Sequence, residues 1–148
     1  MNNIYTDTPD NLKKAADTIK NGGLVAFPTD TVYGLGANVY NADAVAGIFA
    51  AKGRPSFDPL ISHIAEIDFL SEYAQTDERV IALAKHFWPG PLTFVLKRKD
   101  NNASLDLVCS GLPNIAVRMP NHPLALKLIK AAGVPIACLL YTSDAADE

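Results

Sequence analysis

The sequence predicts an α/β fold, in which a twisted, mixed parallel/antiparallel sheet carries packed helices and stays incomplete at the C-terminus. Three observations predict it. Short apolar runs bounded by proline or glycine alternate with stretches whose apolar residues recur at helical spacing, the pattern of helices laid on a sheet. The link between Leu92–Leu96 (LTFVL) and Leu105–Val108 (LDLV) is short, so part of the sheet is antiparallel. No internal repeat and no linker interrupts the 148 residues, which fit one domain.

The elements follow in order. Asp10–Asn21 places Leu12, Ala15, Ala16 and Ile19 on one helical face, with Pro9 and Asp10 marking the start and Gly22-Gly23 the stop. Leu24–Phe27 is a continuous apolar run ended by Pro28 and reads as a buried strand. Thr29–Gly36 (TDTVYGLG) reads as a polar, glycine-bearing loop, Asn41–Lys52 as a second helix, and Gly53–Pro59 as a loop with two prolines. Leu60–Ala65 reads as a strand, Ile67–Tyr73 as a short helix and Asp77–Trp88 as a longer one stopped by Pro89-Gly90-Pro91. Leu92–Leu96 is a strand leaving through Lys97-Arg98-Lys99. Asp100–Ser104 is a turn, Leu105–Val108 is extended and Asn114–Met119 is a strand. Pro123–Ala132 is an amphipathic helix, and Val134–Ala137 begins a further strand.

The domain is read as residues 8–137. The segment 138–148 (CLLYTSDAADE) breaks with what precedes it and matches one reading frame of a transposase adapter used in sequencing-library preparation. It is therefore taken as a non-native tail, to be kept out of fold reasoning. It carries Asp144, Asp147 and Glu148, so the net charge of −3 leaves 13 acids against 13 bases in residues 1–137. No global basic field marks a nucleic-acid binder. The longest apolar runs are far short of a membrane span, and the polar start is no signal peptide, so the cytoplasm is the expected location. Cys109 and Cys138 make no disulfide framework. With His63, His86 and His122 scattered in sequence, no metal-ligand spacing arises.

Five groups of residues can carry chemistry. Pro28–Gly36 follows a buried strand, where ligands bind in open α/β sheets, and offers the hydroxyls of Thr29 and Thr31. Read alone, it is more readily a turn whose Thr and Asp side chains satisfy local backbone groups. Lys52 and Arg54, with Asp58 behind them, can sit on a polyphosphate. Lys then Gly then Pro is also an ordinary helix ending. A lone histidine in a strand, His63, is commonly a packed core residue. Arg118 follows the apolar Ile115-Ala116-Val117 and, if buried, needs a carboxylate, structural or ligand. Lys97-Arg98-Lys99 reads as a solvated strand end that can touch RNA phosphates.

Taken together, four segments resemble the YrdC-like family, the threonylcarbamoyl-AMP synthases that start threonylcarbamoyladenosine modification of tRNA. They are Gly22–Asn38 (GGLVAFPTDTVYGLGAN), Ala50–Ile64 (AAKGRPSFDPLISHI), Trp88–Leu96 (WPGPLTFVL) and Asn114–Pro123 (NIAVRMPNHP), in family order and spacing. The resemblance implies a single YrdC-like domain. It implies that Thr31, His63 and Arg118 hold threonine, with Arg118 on its carboxylate. Lys52 and Arg54 would be the catalytic cations on ATP, Asp58 and Asn114 would also contact ATP, and Thr29 and Tyr33 would be pocket walls. Asp58 departs from the asparagine expected there, because a carboxylate near phosphates needs a cation between them. The family's Ser-x-Asn motif after Val-Pro-Ile-Ala is replaced from Cys138 onward, which removes one wall of the ATP site.

The implied reaction joins L-threonine and bicarbonate as a carbamate. The carbamate then attacks the α-phosphorus of ATP and pyrophosphate leaves. ATP is a substrate, accompanied by Mg2+, with no permanently bound cofactor and no protein metal site. The product passes to a tRNA-modifying transferase, contact with tRNA or double-stranded RNA is possible for this fold, and no membrane is involved. Two rivals remain: a carbamoyl-AMP-handling domain of the hydrogenase-maturation type, and a non-catalytic RNA-binding module.

Overall fold

The computed structural model describes residues 4–53, 60–99 and 103–140. Six strands form one sheet: β1 (Val25–Pro28), β2 (Tyr33–Asn38), β3 (Ile61–His63), β4 (Thr93–Lys97), β5 (Asn114–Arg118) and β6 (Ile136–Leu140). Their order across the sheet is β1-β2-β6-β3-β5-β4. Among the described residues β3 runs parallel to β5 and the other pairings are antiparallel, so the sheet is mixed. The helices are α1 (Pro9–Lys20), α2 (Ala42–Lys52), α3 (Leu70–Tyr73, led in by a 3-10 turn over Ile67–Phe69), α4 (Glu78–Phe87), α5 (Ala103–Cys109) and α6 (Pro123–Ala132).

Side chains cap the starts of α1, α2 and α4. Thr8 Oγ1 accepts from Asn11 N at 3.2 Å, Asn41 Oδ1 from Ala44 N at 3.0 Å, and Asp77 Oδ1 from Val80 N at 3.0 Å. Each such cap satisfies an amide that has no partner inside its helix. Helices α2 and α6 end on Gly53 (φ 63°) and Gly133 (φ 72°), in the left-handed backbone that glycine adopts without penalty.

Alternation along the strands divides the sheet into two faces. On one, Ala37, Ile115, Val117, Ala137 and Leu139 pack beneath α2 and α5, joined by Leu70, Tyr73, Ala84 and Trp88, to form the larger core. On the other, Phe27, Ile136 and Cys138 pack against Ala16 and Ile19 of α1 and Ala125, Leu128, Ile129 and Ala132 of α6. These two helices cover the β1–β2–β6 half. The β3–β5–β4 half of the same face is more open, with Ile61, Ala116 and Thr93 half-buried and Val95 66% exposed.

Two segments differ from the sequence expectation. Thr29–Gly36 is not a loop throughout, because Tyr33–Asn38 forms β2 in a hairpin with β1. Glycine depresses strand propensity, which hid it. Gly36 is nevertheless required there: a Cβ would lie 2.5 Å from Ile136 Cγ2 and 2.8 Å from Phe27 Cε1. Leu105–Val108 is helical rather than extended. Its Leu-Asp-Leu-Val alternation imitates a strand, but Leu105, Val108 and Cys109 are the buried positions, at helical spacing. The antiparallel partner of β4 is therefore β5. The loop expected over 53–59 lies, from Arg54 on, outside the described residues, as do residues 100–102 of the turn expected over Asp100–Ser104, whose last two residues instead begin α5. β6 continues through Cys138, Leu139 and Leu140, pairing Cys138 with both Gly36 and Ile61. Three residues of the segment read as foreign thus complete the strand, since any small or apolar run suits a strand flanked on both sides.

Candidate active site

The site is built where β5 ends. Arg118 pairs in register with His63 on β3 and Thr93 on β4. Its side chain is only 2% exposed. A buried guanidinium is tolerated only with partners, and three residues supply them. Arg118 Nη2 forms an ion pair with Asp30 Oδ1, Nη1 donates to Thr31 Oγ1 at 3.2 Å, and Nε donates to the Gly90 carbonyl at 3.1 Å.

Each partner is itself fixed. Asp30 and Thr31 occupy the middle of a tight turn between β1 and β2, in which Thr29 N donates to the Val32 carbonyl at 3.2 Å. The Thr29 hydroxyl accepts from Thr31 N at 3.3 Å and Val32 N at 3.2 Å, and donates to Val32 O. Such side chain–backbone bonds lock a turn that a bare backbone would leave loose. Gly90 is anchored through its amide, which donates to Met119 O at 2.8 Å, and the preceding Trp88 Nε1 donates to Leu92 O at 2.7 Å.

His63 lies beside Arg118 and is fully buried. Its Nδ1 is 3.0 Å from the Ile61 carbonyl. A carbonyl only accepts, so Nδ1 carries the proton. Burial pushes the imidazole down from 6.5 to about 4; the hydrogen bond to Ile61 opposes this, the Arg118 charge adds to it and the Asp30 charge offsets part. At neutral pH the ring is uncharged, and Nε2 presents a lone pair with no partner among the described residues. A buried acceptor left unpaired is costly, and a bound ligand that donates to it removes the cost.

The other expected site residues fall as follows. Thr31 reaches the cluster directly. Thr29 is 8% exposed, with its hydroxyl engaged inside the turn, so it supports the site from behind. Tyr33 is 59% exposed at the start of β2. Asn114 is exposed at the other end of β5, opposite Lys97 and roughly 13 Å along the strand from Arg118 at ~3.3 Å per residue. Lys52 ends α2, and its side chain lies outside the described residues together with Arg54 and Asp58. Two contributors were not anticipated, Asp30 and the Gly90 carbonyl. Asp30 was legible in principle: a buried Arg118 demands a carboxylate, and Asp30 stands between two threonines already singled out. The Gly90 carbonyl leaves no mark in sequence.

The arrangement joins a cation shaped for a carboxylate to a neutral hydrogen-bond acceptor one strand away. A family model, Sua5_yciO_yrdC, described as telomere recombination, matches residues 17–146. The chain belongs to the Sua5/YciO/YrdC family. It is 49% identical over 135 residues to the threonylcarbamoyl-AMP synthase of Bacillus subtilis (strain 168), covering 90% of this chain and 38% of that protein. The crystal structure of P. abyssi Sua5 complexed with L-threonine superposes with a TM-score of 0.85 at 47% identity, covering 91% of this chain and 39% of that one. E. coli YciO superposes with a TM-score of 0.79 at 25% identity, covering 90% and 65% respectively. The chain thus spans less than two fifths of the length of the Bacillus and P. abyssi proteins it matches. Among the described residues no helix is long and apolar enough to cross a membrane.

Proposed function

We propose that this chain carries the threonine-binding part of a synthase that forms L-threonylcarbamoyl-AMP, pyrophosphate and water from L-threonine, bicarbonate and ATP. The observation that carries the reading is the buried Arg118 guanidinium beside the unpartnered Nε2 of His63. A free amino acid presents a carboxylate and hydrogen-bond donors on neighbouring carbons, which complements that pair. The relative of known structure complexed with L-threonine, at 47% identity, supports the same choice.

In this reading Arg118 and Thr31 take the threonine carboxylate, and His63 Nε2 accepts from a donor on the same molecule. The bound threonine ammonium releases a proton to solvent, and the free amine adds to CO2 derived from bicarbonate and loses a second proton, giving a carbamate. A carbamate oxygen forms a bond to the α-phosphorus of ATP while the bond to the leaving pyrophosphate breaks. No enzyme nucleophile is needed. Catalysis consists of bringing reactants together and screening charge, which falls to Lys52 and Arg54. Mg2+ would arrive on the triphosphate as part of the substrate. Asp58 and Asn114 would contact the nucleotide, with Tyr33 as a wall. The labile product would be handed in the cytoplasm to an enzyme that modifies tRNA.

Pyrophosphate release by the purified chain with ATP and Mg2+, with and without threonine and bicarbonate, tests the reading. Release that requires both supports it. Release indifferent to threonine, or RNA binding with steep salt dependence and no threonine binding, refutes it in favour of another member of the fold.

A further inference from the structure

Arg118 alone would receive any small carboxylate, yet it does not stand alone. The Asp30 carboxylate, 14% exposed, is already paired with it, held there by a turn whose own hydrogen bonds leave it little room to swing away. The neighbouring imidazole is neutral. The cluster Arg118–Asp30–His63 therefore carries no net formal charge before any ligand enters. A simple monocarboxylate entering it leaves an uncompensated anion in a buried place, which is costly. A zwitterion brings its own cation. In an α-amino acid the ammonium sits two bonds from the carboxyl carbon, so a carboxylate lodged on Arg118 carries its ammonium into the field of Asp30.

We propose that Asp30 is a specificity-determining residue of this site, selecting α-amino acids over the corresponding hydroxy and keto acids. The inference rests on the amino-acid reading of the Arg118–His63 pair and deepens it. It has a chemical rationale, because an α-hydroxy acid seated in the site would occupy it without offering the nitrogen that must take up CO2. Asp30 acts here through charge and by holding the guanidinium, and exchanges no proton or bond with the substrate.

The test is calorimetric binding of L-threonine and of 2,3-dihydroxybutanoate, its deaminated counterpart, to the chain and to its Asp30→Asn and Asp30→Glu variants. The unaltered chain should prefer threonine by at least about tenfold, Asp30→Asn should reduce that preference by about tenfold, and Asp30→Glu should keep most of it. A ratio unchanged in Asp30→Asn, with both ligands weakened alike, reduces Asp30 to a structural partner and overturns the proposal. Equal binding of the two ligands by the unaltered chain overturns it with no variant needed, which covers the case in which Asp30→Asn does not fold. If the unaltered chain binds neither ligand, the amino-acid reading itself falls. If it binds threonine but the ratio ignores Asp30, only this inference falls.

Discussion

His63 should make the stability of this protein depend on pH in a defined window. The unfolded chain takes up a proton at the ordinary histidine value of 6.5, whereas the folded site resists until about 4. Above 6.5 neither state is protonated at this residue and nothing is lost. Between 6.5 and 4 the unfolded state binds one more proton than the folded state, so stability falls as pH falls. Below 4 both are protonated and the loss stops growing. At about 1.4 kcal/mol per pH unit over that gap, the contribution is ~3 kcal/mol. No discount for solvent is due, because the ring is fully buried. His63→Asn removes the titration while its amide can still donate to the Ile61 carbonyl. Urea unfolding at several pH values, followed by fluorescence of Trp88, the chain's one tryptophan and a buried one, gives both stability curves. The difference between them cancels the other titrating groups. The unaltered chain should lose about 3 kcal/mol relative to the variant between pH 6.5 and 4. Parallel curves across that window would refute the burial argument.

Arg118→Ala should raise the threonine concentration needed for pyrophosphate release far more than the ATP concentration, and Arg54→Ala the reverse; steady-state kinetics in both substrates would read this, and equal losses in both variants would sink the division. Gly36→Ala should destabilise the sheet by about 1–3 kcal/mol in urea unfolding, since the new methyl meets Ile136 and Phe27 in a packed layer. Thr29→Val, nearly the same shape, strips the β1–β2 turn of its internal acceptor. It should cost about 1–3 kcal/mol and weaken threonine binding measured by calorimetry, because Asp30 and Thr31 lose their fixed approach to Arg118.

The helices were legible because their signals are local. α6 lies where Pro123 and Gly133 frame it, and the caps of α1, α2 and α4 are side chains visible in the chain. β2 and α5 were not, because tertiary packing overrode local pattern at both. Gly34 and Gly36 are strand residues owing to the strands that pair with them on both sides, and the alternation in Leu105–Val108 was outweighed by the helical spacing of its buried side chains. At the site, Arg118, Thr31 and His63 were marked by the family resemblance of the segments that hold them, and the structure brings them together. The carboxylate that pairs with Arg118 comes from 88 positions away, and a contact of that range leaves no periodicity to read. Nor can a sequence announce an imidazole nitrogen left without a partner, since that is a property of the cavity around it.

The place of β6 bears on how this chain is made. Within the sheet, among the described residues, the β1–β2 hairpin and the β3–β5–β4 ribbon are joined through β6, which follows the other five strands in sequence. While the chain emerges from a ribosome, the two pieces can each form, but neither has its neighbour, and the edges of β2 and β3 stand exposed to other nascent chains. Cooperative folding therefore waits until Leu140 has cleared the exit tunnel. Nascent chains stalled before Ile136 should remain protease-sensitive and hold the greatest need for a chaperone, and protection should arise in a single step once the central strand slots between the two halves.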